Sequence, residues 1–316
     1  MNIVVTGGAG YIGSVLVRRL TEKGHSVTVI DDLSTGHRDA IPESVRFIEG
    51  SVGNIEHLLS KEDTIDAVVH LAGSISVAES VKNPQLYWDN NFTQTLQMLQ
   101  GMQAHGIDKL VFASTAAVYG NPVEIPIQED APKNPTNPYG MSKLAMDMAI
   151  TSYAHAYGLA ATSVRFFNVA GAYKDAGERH PNESHLIPLA FYAAVDKRTL
   201  SLYGSDYETP DGTCVRDYIH VLDLADAIEL SLHQLKPSTH SIYNLGNGNG
   251  FSNKELVEAV QSATGTNFAV NKEARRDGDP AWLVASSQLA KQELGWEPVI
   301  TSLHDIISDA WRFYNR

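Results

Sequence analysis

Tyr139 and Lys143 are the residues of this chain best suited to acid–base chemistry. They stand four apart in Asn137-Pro138-Tyr139-Gly140-Met141-Ser142-Lys143, which reads as a helix start, with Asn137 fit for the N-cap and Pro138 for the first turn. That spacing shares one helix face, so the ammonium can lie beside the phenol. A free phenol has a pKa of about 10, and bringing it to about 7 takes roughly 4 kcal/mol of preferential phenolate stabilisation. An exposed ion pair gives at most about 1 kcal/mol. The pair must therefore sit in a shielded cleft. By itself the spacing also suits an ordinary amphipathic helix, and what distinguishes it is the run Phe112-Ala113-Ser114-Thr115-Ala116-Ala117-Val118-Tyr119-Gly120. This run closes a strand on two hydroxyl residues. Thr115 can hydrogen-bond a substrate hydroxyl and share its proton with Tyr139, while Ser114 equally suits a structural loop.

The elements that must position these groups follow from alternation. Strand-like runs at Ile3–Thr6, Val27–Asp31, Val45–Ile48, Ile65–Leu71 and Lys109–Ser114 are separated mostly by helical stretches, the pattern of a parallel sheet covered on both faces. Val68–Ala72 and Leu110–Ala113 are short continuous apolar runs, as central strands buried on both sides require. Right-handed crossovers then give an α/β, Rossmann-type doubly wound sheet whose ligands sit beyond the carboxyl ends of the strands. After about Asn168 the loops lengthen. Residues 1–168 are read as the dinucleotide domain, with part of the later chain returning to it, and 169–316 mainly as a smaller α/β substrate-binding lobe.

Gly7-Gly8-Ala9-Gly10-Tyr11-Ile12-Gly13 follows the first strand and opens a helix, satisfying G-x-G-x-x-G. The glycines suit a tight turn, close approach of pyrophosphate, and helix packing, although glycines alone also suit a plain turn. Asp31-Asp32 ends the second strand eighteen residues past Gly13, where a carboxylate can accept the adenosine ribose hydroxyls. Such a pair would repel a 2′-phosphate, so NAD is expected rather than NADP. Asp31 is the ribose candidate, Asp32 a turn residue and Arg38 a solvated loop residue. The positive nicotinamide would add its field to that of Lys143 at the Tyr139 phenol.

With 316 residues, 43% hydrophobic and 19% charged, the chain has the composition of a globular protein able to bury a sizeable core. Its formal net charge of −13 argues against nucleic-acid binding, which needs basic surface. Anionic ligands must then meet locally placed Arg or Lys. The one cysteine, Cys214, forbids an intrachain disulfide and fits a reducing cytoplasm, and no metal site is read from the sequence. The strand-like start at Met1–Thr6 leaves no room for a leader, and no stretch approaches a membrane-spanning length.

Together the glycine motif, His70-Leu71-Ala72-Gly73, Tyr139-x-x-x-Lys143, Phe167-Asn168-x-x-Gly171, Asp211–Val221 and Asn244-Leu245-Gly246 resemble the extended short-chain dehydrogenase/reductase family, and within it the nucleotide-sugar 4-epimerases, over nearly the whole chain. The stretch ending in Asp217-Tyr218-Ile219-His220-Val221 is the most specific part. The resemblance implies reversible inversion of C4 in UDP-glucose or UDP-galactose, and Tyr139, Lys143 and Thr115 as the catalytic set. Tyr139 would take the 4-hydroxyl proton while C4 passes hydride to tightly bound NAD. The 4-ketopyranose then turns about its diphosphate link and receives hydride on the other face.

The same resemblance implies that Gly7, Gly10, Tyr11, Ile12 and Gly13 hold the cofactor with Asp31. Ser51 and Val52 would meet it at the adenine end; Leu71, Ala72, Asn90 and Phe166 would join Tyr139 and Lys143 around the rest. Asn168, Arg216 and Arg276 would hold the diphosphate, because a guanidinium fork matches phosphate oxygens. Asp279 would take the uridine ribose, Tyr203 the uracil, and His185, Leu186, Ser201 and Tyr218 would complete the substrate pocket beside Thr115. Plainer roles stand beside these: Arg216 as partner of Asp217 or Asp223, Arg276 as a surface pair with Arg275, Tyr203 as core. Leu283 aligns with a gate beside the C2 substituent, where a small residue admits N-acetylhexosamines and Tyr bars them; it also suits simple packing, and a one-residue slip would place Trp282 there. A homodimer is implied through helices near Pro84–His105 and Tyr139–Tyr157, whose apolar faces equally suit core.

Five positions depart from the family pattern. Ser51 replaces an Asp, Ile75 a Lys, His185 an Asn, Phe166 a Tyr and Gln94 a Gly. Related dehydratases carry an Asp-Glu pair after the catalytic Thr, and decarboxylases a Glu. Here those positions are Ala116 and Ala117, which disfavours elimination. A non-enzymatic dinucleotide sensor is the competing reading, and it would be expected to lose the Tyr-Lys pair.

Overall fold

The computed structural model describes residues 1–181, 183–276 and 279–316. The first half supplies β1 (Asn2–Thr6), β2 (Ser26–Asp31), β3 (Arg46–Glu49), β4 (Ala67–His70), β5 (Lys109–Thr115) and β6 (Ala160–Phe166). Beyond them come β7 (Asn168–Ala170), β8 (Leu200–Tyr203), β9 (Val215–His220), β10 (His240–Leu245), β11 (Gly250–Ser252), β12 (Val270–Glu273) and β13 (Trp282–Leu283). One seven-stranded sheet runs β10-β6-β5-β4-β1-β2-β3, and every pairing in it is parallel. Its edge strand β10 lies some seventy residues beyond Asn168 in sequence. The sheet is a doubly wound α/β fold of the Rossmann type.

Alternate residues of the central strands feed two separate cores, as the two-residue period of a strand demands. Ile3, Val5, Val69 and Val111 pack under helices Tyr11–Glu22 and Val221–His233, whereas Val4, Val68, Leu110 and Phe112 pack under helices Gln94–Ala104 and Pro138–Tyr157. Each such fully buried side chain stabilises the fold by about 1.5–3 kcal/mol. A third core joins helices Leu186–Asp196, Asn253–Thr264 and Leu303–Tyr314 through Ile187, Phe191, Leu256, Val260, Ile306 and Ile307. Next to it β9 collects β7, β11 and β13, while β8 pairs with β12. No helix among the described residues is long and apolar enough to cross a membrane.

The segment expected as helix near Pro84–His105 is interrupted. An α-helical turn at Pro84–Trp88 passes through a π-helical turn at Asp89–Thr93 into helix Gln94–Ala104. The wide turn brings Asn91 to the loop after β4, where it accepts from the Ser74 N–H at 2.8 Å and donates to the Ser74 carbonyl at 3.0 Å and Ser142 Oγ at 3.2 Å.

A buried polar network ties the central strands to helix Pro138–Tyr157. Arg165 on β6 is 1% exposed and donates to Asp147 Oδ2 through Nη2 at 2.8 Å and Nε at 3.2 Å. Its Nη1 donates to the Tyr119 hydroxyl at 3.0 Å, which donates to Asn244 Oδ1 at 2.7 Å; Ser114 Oγ donates to Asp147 at 3.1 Å. Removing one partner strands a buried charge, so Asp147→Ala should cost about 3–5 kcal/mol in chemical denaturation. Asp147→Leu combined with Arg165→Met should cost clearly less, and equal losses would deny the pair its coupling.

Candidate active site

At the carboxyl end of β1 the chain turns through Gly7, whose φ of 69° places it in the left-handed region. A Cβ there would stand 2.5 Å from the Ala72 nitrogen, and one on Gly13 would stand 2.2 Å from the Gly7 carbonyl oxygen. Gly10 differs: a Cβ on it would meet only the Gly7 oxygen, at 3.3 Å, so its outer side is open. Gly10 is also the N-cap of helix Tyr11–Glu22, with no side chain capping the free N–H groups and no acidic residue in the first turn. That open, positive cradle fits a pyrophosphate. Ile12 lies half-buried in the helix's first turn, and Leu71 N–H donates to the Thr6 carbonyl at 3.0 Å, which sets Leu71 and Ala72 against the turn.

Asp31 lies beside it and is nearly buried. Its Oδ2 accepts from Ala9 N–H and its Oδ1 from Leu33 N–H, both at 2.9 Å, leaving each oxygen one further acceptor position. Burial raises its pKa, and those two amides oppose the rise. Asp32 accepts from Ser34 N–H at 3.0 Å in a turn on the exposed side. Farther along the rim, Ser51 and Gln94, two of the departures from the family pattern, meet each other: Ser51 Oγ donates to Gln94 Oε1, and Gln94 Nε2 donates to Asn90 Oδ1 at 3.1 Å. Val52 is buried next to Ser51, and Phe166 closes β6 half-buried against the sheet core.

Tyr139 and Lys143 lie one turn apart at the start of helix Pro138–Tyr157, both more than nine-tenths buried, with Asn137 capping the helix by accepting from Gly140 N–H at 2.9 Å. Lys143 Nζ donates to the Ala113 carbonyl at 2.9 Å and stands 4.9 Å from the Phe112 ring centroid. Burial raises the Tyr139 phenol above its ordinary value, with the Thr115 hydroxyl pulling the other way. Burial lowers Lys143 to about 8, opposed by Asp147. Thr115 ends β5 and accepts from Ala117 N–H at 3.1 Å. His70 forms a layer behind, bonded to Thr6 Oγ1 at 2.6 Å and Thr95 Oγ1 at 3.0 Å; burial and then Lys143 lower its pKa to about 3, so it is neutral. The sequence marked His70 only as part of a strand end.

On the other side of the cleft, Arg216 is already partnered. Its Nη2 donates to Asp279 Oδ1 at 2.9 Å and its Nη1 to the Pro280 carbonyl at 2.8 Å. The plainer partner expected for it, Asp217, is occupied elsewhere: it accepts from the N–H groups of Asn247, Gly248 and Ala285 at 2.7, 3.0 and 3.1 Å. Arg276 does not pair with Arg275. Its guanidinium lies 4.0 Å over the Tyr203 ring, and Tyr203 is 37% exposed, not core. Ser201 Oγ donates to Glu273 Oε1 at 3.4 Å, and Asn168 pairs with Tyr218 across β7 and β9. Leu283 packs with Ala116, Val118 and Phe167, while its neighbour Trp282 donates to the Glu208 carbonyl at 3.2 Å. Leu283 and Trp282 thus face different neighbours, as successive residues of a strand do.

His185, expected beside sugar and phosphates, has two carboxylates at its ring. Its Nδ1 lies 2.8 Å from Glu178 Oε1 and 3.0 Å from Glu183 Oε1, and Leu186 follows it as the first residue of helix Leu186–Asp196. Burial disfavours the imidazolium, but Glu178 and Glu183 outweigh it and raise His185 to about 10 and His180 to about 9. The spacing Glu178-x-His180-x-x-Glu183-x-His185 was the available signal for this cluster, and the sequence reading passed over it.

Residues 3–246 match the model of the NAD dependent epimerase/dehydratase family. A UDP-glucose 4-epimerase of Corynebacterium glutamicum is 51% identical over 314 residues, which cover 99% of this chain and 95% of that protein. Among solved structures, the UDP-glucose 4-epimerase from Brucella ovis in complex with NAD has a TM-score of 0.94 at 40% identity, covering 99% of this chain and 98% of that one. The UDP-Glc/GlcNAc 4-epimerase from Campylobacter jejuni has a TM-score of 0.87 at 36% identity, covering 99% of each. A glycine cradle, a buried Tyr-Lys pair and this likeness along almost every residue agree: the chain belongs to the NAD dependent epimerase/dehydratase family.

Proposed function

We propose that this protein interconverts UDP-glucose and UDP-galactose by inverting C4, with NAD resident on the glycine turn. One observation carries the reading: Tyr139, Lys143 and Thr115 gather, buried, at the carboxyl ends of the parallel strands, while the positions that elimination chemistry would need are Ala116 and Ala117. Bound NAD supplies a reversible two-electron acceptor for C4 and a positive ring whose field favours the Tyr139 phenolate.

The chain's own groups do the rest. Tyr139 takes the 4-hydroxyl proton and returns it, and Thr115 hydrogen-bonds the same hydroxyl and orients it. Burial raises the pKa of the phenol and lowers that of the ammonium, so the cofactor's positive charge, when bound, would favour the active pair of phenolate beside ammonium. Arg216, Arg276 and Asn168 anchor the diphosphate while the sugar presents either face to the same proton carrier. To do so Arg216 shares or exchanges its Asp279 partner, and Asp279 is freed toward the uridine ribose, with Tyr203 beneath the base. Residues 1–168 with β10 hold the cofactor and 169–316 mainly hold the UDP-sugar. A homodimer in a reducing cytoplasm completes the proposal, supported by exposed Val77, Val81, Met141 and Met148 on adjoining helices and by the buried lone Cys214.

A panel of UDP-sugars followed by separation of C4 epimers tests the reading directly, and no turnover of UDP-glucose with NAD present would end it. Tyr139→Phe should cut turnover by about 10²–10⁴-fold with UDP affinity retained, and Lys143→Ala should move the acidic limb of the pH–rate profile to higher pH, since the phenolate loses its cation. An unmoved limb removes Lys143 from that role. Arg216→Ala should weaken UDP binding by roughly 1.5–3 kcal/mol in calorimetry, the range for charged hydrogen bonds. Leu283 packs beside Ala116, the residue after Thr115, and lacks the far half of a phenol ring: the wild type should epimerise UDP-N-acetylglucosamine, and Leu283→Tyr should lose that activity selectively. Unchanged kcat/KM ratios would take Leu283 out of the gate.

A further inference from the structure

Glu178, His180, Glu183 and His185 each bring one ligand atom into a space where all four lie within 4.8 Å of one another. His185 Nδ1 lies 2.8 Å from Glu178 Oε1 and 3.0 Å from Glu183 Oε1, and His180 Nδ1 lies 3.1 Å from Glu178 Oε1 and 3.5 Å from Glu183 Oε2. Ligands about 2.0–2.1 Å from a tetrahedral ion stand roughly 3.3–3.4 Å apart, a separation that falls within the 2.8–3.5 Å range of these histidine–carboxylate distances. Both carboxylates are largely withdrawn from solvent, with side chains 14% and 4% exposed. Among the described residues neither forms a salt bridge with a lysine or arginine; Arg179, between them in sequence, turns away to Asp39 at 2.9 and 3.0 Å.

Two buried negative charges need compensation, which one proton on each imidazole or one divalent cation can supply. Geometry favours the cation. His180 Nδ1 is buried and lacks a well-aligned hydrogen bond, although Glu178 Oε1 and Glu183 Oε2 stand only 3.1 and 3.5 Å away, so this nitrogen is left with room for a better partner. The other histidine–carboxylate group, His25, Glu229 and His233, lacks this need, because Lys23 Nζ stands 3.6 Å from Glu229 Oε2.

We propose that Glu178, His180, Glu183 and His185 bind one divalent transition-metal ion of the zinc class. Four protein ligands close the tetrahedron and leave no position for substrate, so the site is structural. The His180 ring stands edge-on to Tyr11, 6.5 Å between centroids, and Tyr11 donates to the Gly171 carbonyl at 2.6 Å, so the ion fastens the His180 segment next to the glycine turn. Through His185, the N-cap of helix Leu186–Asp196, it fastens the same segment to the third core. This assignment replaces the contact to substrate expected of His185 and does not depend on the sugar that the enzyme turns over.

Metal-stripped full-length protein titrated with Co²⁺ should take up one equivalent and develop the intense visible bands of tetrahedral cobalt, which an equivalent of Zn²⁺ erases. Zinc should also raise the melting temperature. Glu183→Gln combined with His185→Gln should lose both responses, whereas His25→Gln combined with His233→Gln should keep them; circular dichroism reports whether each variant folds. The wild-type titration is decisive by itself should a variant fail to fold. Absence of saturable Co²⁺ uptake by the folded wild type, the weak spectrum of a six-coordinate solvated ion, or undiminished uptake by the folded Glu183/His185 variant would overturn the site.

Discussion

The structure is organised around a buried lysine. An ammonium in a protein interior loses its hydration, and the loss is tolerable only where fixed dipoles replace water. Lys143 sits near the carboxyl end of β5 and donates to a strand carbonyl there, at Ala113. The Phe112 ring supplies a second, weaker partner. Around it the neighbours are kept free of competing positive charge: His70, close enough to interact, is held neutral between Thr6 and Thr95. Burial still lowers the lysine's pKa to about 8, with Asp147 opposing the fall.

Holding that lysine requires the helix that carries it to be fixed against the strands beneath. The Arg165–Asp147 pair does this from the same helix, one turn beyond Lys143, and the network runs on through Tyr119 to Asn244 on β10. A strand that arrives late in the chain thus becomes part of the support of the proton-transfer pair. The opposite wall is built differently. Asp217 gathers three backbone N–H groups from two separate loops, setting the strand that presents Arg216 against the strand that presents Leu283. One wall is held by ion pairing between elements, the other by a carboxylate that replaces sheet hydrogen bonds where the chain is irregular.

Gly171 meets the glycine turn through Tyr11, and His185 stands as the N-cap of a helix in the third core. The compact set of two histidines and two glutamates lies beside the first of these contacts, with the His180 ring edge-on to Tyr11.

Local sequence determined a good deal. Continuous apolar runs at Val68–Ala72 and Leu110–Ala113, glycines after the first strand and the Tyr139-x-x-x-Lys143 spacing each depend on neighbours within a few residues, so the parallel sheet, its dinucleotide turn and the paired helix face could be read without coordinates. The resemblance in Asp211–Val221 added the remote substrate residues, which no local rule could place. Tertiary structure decided what depends on residues far apart meeting: the return of β10 to the sheet edge, the π-helical turn that brings Asn91 to Ser74, the Arg216–Asp279 pair, and the contact between Ser51 and Gln94 that joins two departures into one hydrogen bond. Burial decided the rest. The same spacing that predicts a Tyr-Lys pair says nothing of the desolvation that raises one pKa and lowers the other, because desolvation is a property of everything packed around the pair and not of the helix that carries it.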